Sequence, residues 1–284
     1  MKISSSFLFI LLCFFQAAPA CAGPIRFAAP PMLNQDQARQ EYYLFTRDLE
    51  YVLKLSVQLI SLPTHNKIIE SLKNDEIDLA ILGSLPLALL LKQDPDILPL
   101  AQFLNADGSA GYTCSVAVFS GDNLRIEDLK NKHFALTQPY CTCGFLLTES
   151  LLSQQGVHLS DNDFEYVGSH PGCAVGVIGG QYSACGIRTS IGEQYHHLGL
   201  DLIAESGRLP GFALVANQRT LSAKDIDMVQ KHLLELQPLK SPEDVELMKN
   251  WGQFIKYGAV PVAIDDFKII TDLMNEIDTS GVLQ

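Results

Sequence analysis

The sequence predicts an α/β protein built as two lobes. Strand-like and helix-like segments alternate at the spacing of parallel β-α units. The alternation comes in separate blocks with no low-complexity linker between them. A chain of 284 residues, 47% hydrophobic and 18% charged, also carries enough apolar material for two modest cores.

The elements follow in order. Residues 1–22 read as a secretory signal peptide: Lys2, an apolar run from Phe7 to Phe15, then small residues up to Gly23. Ala18 with Ala20, or Ala20 with Ala22, fits a cleavage site, and the apolar run is too short to span a bilayer comfortably. Ala18-Pro-Ala-Cys21 is also a degraded bacterial lipoprotein signal that would acylate Cys21. It lacks the large aliphatic residue three places earlier, so plain cleavage is the preferred reading. After a first strand, Tyr42, Tyr43, Phe45, Leu49, Val52 and Leu53 recur at helical spacing over 35–53. Strands are expected at 55–60 and 77–82, with a helix at 66–74 between them. The apolar stretch 79–91 is broken by Gly83 and Pro86 and does not qualify as a membrane span.

The second block repeats the pattern. Strands are expected at 115–119, 133–136, 164–167 and 182–187, with helices at 126–130, 145–155 and 174–179. A third block gives a strand at 214–216 and helices at 223–236 and 264–277. This divides the chain into lobe 1 (23–115 with 213–284) and lobe 2 (116–212), linked by ordered strands.

Charge narrows the function. Twenty basic residues stand against 32 acidic ones, a net −12 that repels nucleic acid and anionic membranes. A small anion would need local donors, and the loop from Gln138 to Gly144 supplies them. It joins a strand to a helix, so the free amides of the first helical turn face whatever sits above Cys141, Thr142 and Cys143. Thr142 adds a hydroxyl, and His170, beside Ser169 in another strand-to-helix turn, adds a ring N–H. The plainer roles are a helix cap for Thr142 and a structural turn for His170.

Five passages resemble one family. Gly111-Tyr-Thr-Cys-Ser-Val-Ala-Val-Phe119, the run from His133 to Leu147, and Val167-Gly-Ser-His-Pro-Gly172 continuing into Gly180-Gln-Tyr-Ser-Ala184 are similar to periplasmic phosphate- and phosphonate-binding proteins of the PhnD-like type. Glu76 to Gly83 and Leu209 to Leu214 fall in the matching order. The resemblance implies a type 2 periplasmic binding protein, a Venus flytrap with two crossover strands near 112–119 and 211–216 and the ligand in the cleft. It implies a periplasmic, monomeric solute-binding protein that takes a small oxyanion, serves an ABC transporter permease or a sensor histidine kinase, and needs no cofactor. The site it implies comprises Tyr112, Thr113, Cys114, Cys141, Thr142, Cys143, Gly144, Ser169 and His170.

The departures concern sulfur. Cys141-Thr142-Cys143-Gly144 stands where the family typically reads Ser-Thr-Ser-Gly, Cys114 stands at a common serine, and Ser183 replaces an acid able to pair with an ammonium. Of seven cysteines, Cys13 and Cys21 fall in or at the leader, leaving Cys114, Cys141, Cys143, Cys173 and Cys185. One reading is disulfides, with Cys114 joined to a loop cysteine or Cys173 to Cys185. The other is a cleft of thiols, with Cys141 and Cys143 partly thiolate at a helix N-terminus and suited to a soft ligand such as arsenite, Cu(I) or Zn(II). The resemblance extends to arsenite-sensing members. A Cys143–His170 hydrolase is the enzyme alternative. Arg188 either meets an anionic ligand or pairs with Glu193, His196-His197 reads as a solvated surface pair, and Met228 and Met248 as core.

Overall fold

The computed structural model describes residues 23–32 and 35–277. The leader, with Cys13 and Cys21, lies outside the described residues.

The chain first lays down β1 (Ile25–Ala28), β2 (Val57–Ile60), β3 (Leu79–Leu82) and β4 (Ile97–Phe103). It crosses to build β5 (Cys114–Phe119), β6 (His133–Leu136), β7 (Asp163–Tyr166), β8 (Ala184–Arg188) and β9 (Leu200–Glu205). It then returns with β10 (Ala213–Asn217) and β11 (Ala259–Val260). Two sheets result, ordered β11-β4-β10-β3-β1-β2 and β7-β6-β8-β5-β9. Within them β1 runs parallel to β2 and β3, and β6 parallel to β7 and β8, while β5 and β10 run antiparallel to their neighbours.

The strands expected to cross between lobes lie inside them. Cys114 already pairs with Arg188 in the second sheet, and Ala213 with Leu82 in the first. The crossing is made by residues 104–113 and 206–212, where Tyr112 and Leu209 exchange backbone hydrogen bonds of 3.0 and 2.8 Å. The two connections therefore brace one another as a hinge.

Helices α1 (Gln35–Leu53), α2 (His65–Lys73), α3 (Ser84–Gln93), α4 (Leu147–Ser153), α5 (His170–Ile178), α6 (Thr189–Gly192), α7 (Ala223–Glu235), α8 (Pro242–Met248) and α9 (Lys268–Glu276) complete the lobes. α1 buries Tyr42, Phe45, Leu49 and Leu53, one stripe at helical spacing, and Phe45 meets Phe27 and Trp251 edge-on at 5.3 and 5.0 Å. α3 has no stripe, because every residue from Ser84 to Leu90 is buried. A continuous apolar cluster runs from Leu72 and Leu85 in the first lobe to Phe145 and Leu151 in the second. The lobes are closed on one another: the Leu85 amide donates to the Thr142 hydroxyl at 3.0 Å, and the Gln138 amide group donates to the Pro31 carbonyl at 2.9 Å.

Candidate functional site

In open α/β sheets, ligands collect beyond the carboxyl ends of parallel strands, where helices begin. Both lobes bring such ends to one place. Gly83 leads from β3 into α3, Cys141 leads into a π turn (Thr142–Leu146) that continues as α4, and Ser169 leads into α5. Between them lies a cavity of about 30 Å³. The first lobe lines it with His65, Gly83, Pro86, Phe212 and Phe254; the second contributes Cys141, Thr142, Cys143, His170 and Arg188; Tyr112 enters from the hinge. One water needs roughly 10–15 Å³ on this measure, so the space suits a compact guest of a few heavy atoms.

The polar groups have defined states. His170 is buried, and its Nδ1 accepts from the Arg188 backbone N–H at 3.2 Å. An acceptor there cannot carry the proton, so neutral His170 holds it on Nε2, 3.9 Å from the Cys141 sulfur. Burial, with Arg188 and His65 nearby, pulls the His170 pKa down to about 3. His65 is pulled to about 4 by burial, and its Nδ1 has no partner. Burial pushes the Cys141 thiol up, although the Gly144 and Cys143 amides point at its sulfur. Desolvation outweighs the helix N-terminus, and Cys141 is a thiol, not a thiolate. Thr142 is no helix cap, since its hydroxyl accepts from the opposite lobe.

Arg188 forms one wall. It is 8% exposed, its Nη2 donates to the Asn105 side-chain oxygen at 3.2 Å, and Nε and Nη1 have no partner. Its guanidinium lies over Tyr112 at 4.8 Å and Phe254 at 5.1 Å.

Residues 27–267 match the family model described as "ABC transporter, phosphonate, periplasmic substrate-binding protein". The chain belongs to this phosphonate-binding family. A probable ABC transporter phosphite-binding protein, PhnD1 of Prochlorococcus marinus (strain MIT 9301), is 24% identical over 200 residues, which is 67% of this chain and 66% of that protein, just under two thirds of its length. The structure of P. marinus PhnD1 with methylphosphonate superposes with a TM-score of 0.77 at 19% identity, covering 90% of this chain and all of that one. A binding-protein component of an ABC phosphonate transporter from Pseudomonas aeruginosa gives 0.73 at 19% identity, covering 89% and 86%. The two-lobed periplasmic-binding-protein fold is thus shared. No helix among the described residues is long and apolar enough to cross a membrane.

Of the residues expected at the family's site, Tyr112, Cys141, Thr142, Cys143 and His170 line the cavity. The other four do not. Thr113 faces a separate groove beside the hinge. Cys114 is bonded to Cys143 as a disulfide across 29 residues. Gly144 packs so tightly on Thr137 that a Cβ would sit 2.1 Å from its hydroxyl oxygen, and Ser169 caps α5 by accepting from the Gly172 amide at 3.1 Å.

The disulfide corrects the thiol readings. Cys114 and Cys143 are tied together, so a three-thiolate cap for arsenite cannot assemble and Cys143 cannot act as a nucleophile with His170 as its base. Among the described residues no group of three or more His, Cys, Asp or Glu side chains could hold a metal ion. Cys173 and Cys185, offered as a disulfide, are free and buried in the second lobe's core. Arg188 makes no ion pair with Glu193. His65, Pro86 and Phe254 are site residues that pattern reading missed. Phe212 and Gly83 lay inside passages already singled out.

Proposed function

We propose that this family member is exported through its leader and, outside the cytoplasm, captures a compact oxyanion of the phosphite or methylphosphonate class and releases it unchanged to the membrane permease of an ABC importer. The observation that carries the reading is the Leu85 amide bound to the Thr142 hydroxyl above the cavity. This hydrogen bond joins the lobes beside a space whose lining includes His170 and Arg188 of the second lobe and His65 of the first. A guest held there is enclosed by both halves, as a capture protein requires.

The size of the space argues for a small head group, and the likeness to proteins described with phosphite and methylphosphonate supports that class. Binding without turnover follows from the sulfur chemistry: the one free thiol in the cavity is protonated, and its histidine neighbour is a poor base. We take the protein to act as a monomer. Delivery to a sensor kinase is the other outlet the fold permits.

The test is calorimetric titration of the purified protein with phosphite, methylphosphonate, phosphate and ethanesulfonate, with the ligand analysed afterwards. Micromolar or tighter binding of phosphite or methylphosphonate, with ligand recovered intact, is the expected result. Millimolar affinity for all four would overturn the ligand class, and a transformed ligand would overturn the non-enzymatic reading.

A further inference from the structure

Taking the proposed oxyanion capture as its starting point, we infer that Arg188 is the counter-ion of the bound ligand, and that this buried cation makes the site reject any ligand carrying a positive charge beside its anionic head. Among the described residues Arg188 is the one side chain lining the cavity that is charged at neutral pH, since both histidines there are neutral and no Asp or Glu lines it.

A guanidinium this buried loses most of its hydration, and the loss must be offset by a partner of opposite charge. None is present. Its single side-chain hydrogen bond goes to a neutral amide oxygen, and its flat face is covered by Tyr112 and Phe254. Asp107, Glu193 and Glu205 line the groove on its outward side, and none makes an ion pair with it. In a chain with 32 acids against 20 bases, leaving this cation without one reserves it. Nε and Nη1 have no acceptor, the residue lines the cavity, and a guanidinium is the side chain best matched to an oxyanion.

The local frame holds it there. Arg188 ends β8, its backbone N–H donates to His170 Nδ1, and its neighbour across the sheet is Cys114, whose sulfur is bonded to Cys143. The ligand's second donor, His170 Nε2–H, is thereby positioned by the same residue. A guest with an ammonium next to its phosphonate would bring that cation into a closed space with no carboxylate to receive it.

The experiment compares wild type with Arg188→Gln and Arg188→Lys in titration calorimetry, using methylphosphonate and the size-matched pair ethylphosphonate and aminomethylphosphonate, and melts each protein without ligand. Wild type should bind ethylphosphonate at least 100-fold more tightly than aminomethylphosphonate, which has the same number of heavy atoms and adds only the ammonium. Arg188→Gln should lose about 100-fold for methylphosphonate, as expected for hydrogen bonds to a charged group, and Arg188→Lys should lose less. Ligand-free Arg188→Gln should melt at or above the wild-type temperature, because an uncompensated buried charge has been removed. A lower melting temperature with unchanged affinity would assign Arg188 to structure and overturn the inference, as would equal wild-type affinity for ethylphosphonate and aminomethylphosphonate. If wild type binds neither methylphosphonate nor phosphite, the capture reading itself fails and the inference falls with it.

Discussion

Two arginines of this chain have opposite surroundings. Arg219 lies at the surface just after β10 and is saturated: Nε reaches Asp75 at 2.7 Å, Nη1 reaches Asp94 at 2.8 Å and Asp96 at 3.2 Å, and Nη2 reaches Asp94 and the Leu72 carbonyl at 3.0 and 3.1 Å. Arg188 is buried and has no acid. For stability alone the arrangement would be reversed, because an ion pair gains little in water and an unpaired charge costs much when buried. The first cation ties the C-terminal ends of α2 and α3 to the turn that follows β10. The second is set aside for something that arrives later.

The largest expected effect comes from the frame around Arg188. The Cys114–Cys143 disulfide closes a loop of 29 residues, and the chain-entropy account of such a closure gives about 3–4 kcal/mol. The double variant Cys114→Ser/Cys143→Ser, followed by urea unfolding, should lose stability of that order and weaken ligand binding, since Cys143 and the strand opposite Arg188 both shift. Wild type in reductant should behave like the double variant. Stability unchanged in both would show that the bond contributes nothing to the fold.

Acid should distinguish the two arginine regions next. His170 and His65 have folded pKa values of about 3 and about 4 against an ordinary value of 6.5. The unfolded chain therefore takes up protons that the folded one refuses, and stability falls as pH drops below 6.5 until each folded pKa is reached. Between pH 6.5 and 5.5 the loss should be about 1 kcal/mol for each histidine. Asp75, held below the usual carboxylate range by Asn217 and Arg219, keeps its charge through that interval, so the Arg219 cluster is untouched. Denaturant midpoints at pH 7.5, 6.5 and 5.5 read this directly, and His170→Gln should flatten the slope by about half.

How much of this was legible in the sequence depended on what each segment buries. α1 was readable over its whole length because one stripe faces the core, and β6 because its apolar run is short and bounded. α3 hid because it is buried all round, and β9 because its inner residues are half-buried and its pattern mixed. Proximity to a helix start was a sound guide to where the cavity lies and a poor guide to thiol chemistry. Burial raised the Cys141 pKa, and pairing removed Cys143 from the reactive set. Arg188 was visible as a residue, but the fact that gives it meaning, the absence of any acid beside it, exists only once nonlocal strands and the hinge are assembled around it.

The smallest effect on binding should come from breaking the saturated cluster. Arg219→Gln removes three ion pairs: Asp75 and Asp96 stay hydrated and tolerate isolation, but Asp94 is buried and loses its two-toothed partner. Thermal melting should show a loss of stability in two parts: the share owed to exposed Asp75 and Asp96 shrinks as ionic strength rises, and the share owed to isolating buried Asp94 persists. Affinity for methylphosphonate should stay at the wild-type value. The contrast with Arg188→Gln is then complete in both readouts: one substitution lowers stability and spares binding, while the other spares stability and abolishes most of the affinity. A binding defect in Arg219→Gln would mean that the surface cluster and the cleft are energetically coupled through β3 and β10, and that the two cations do not divide structure from function between them.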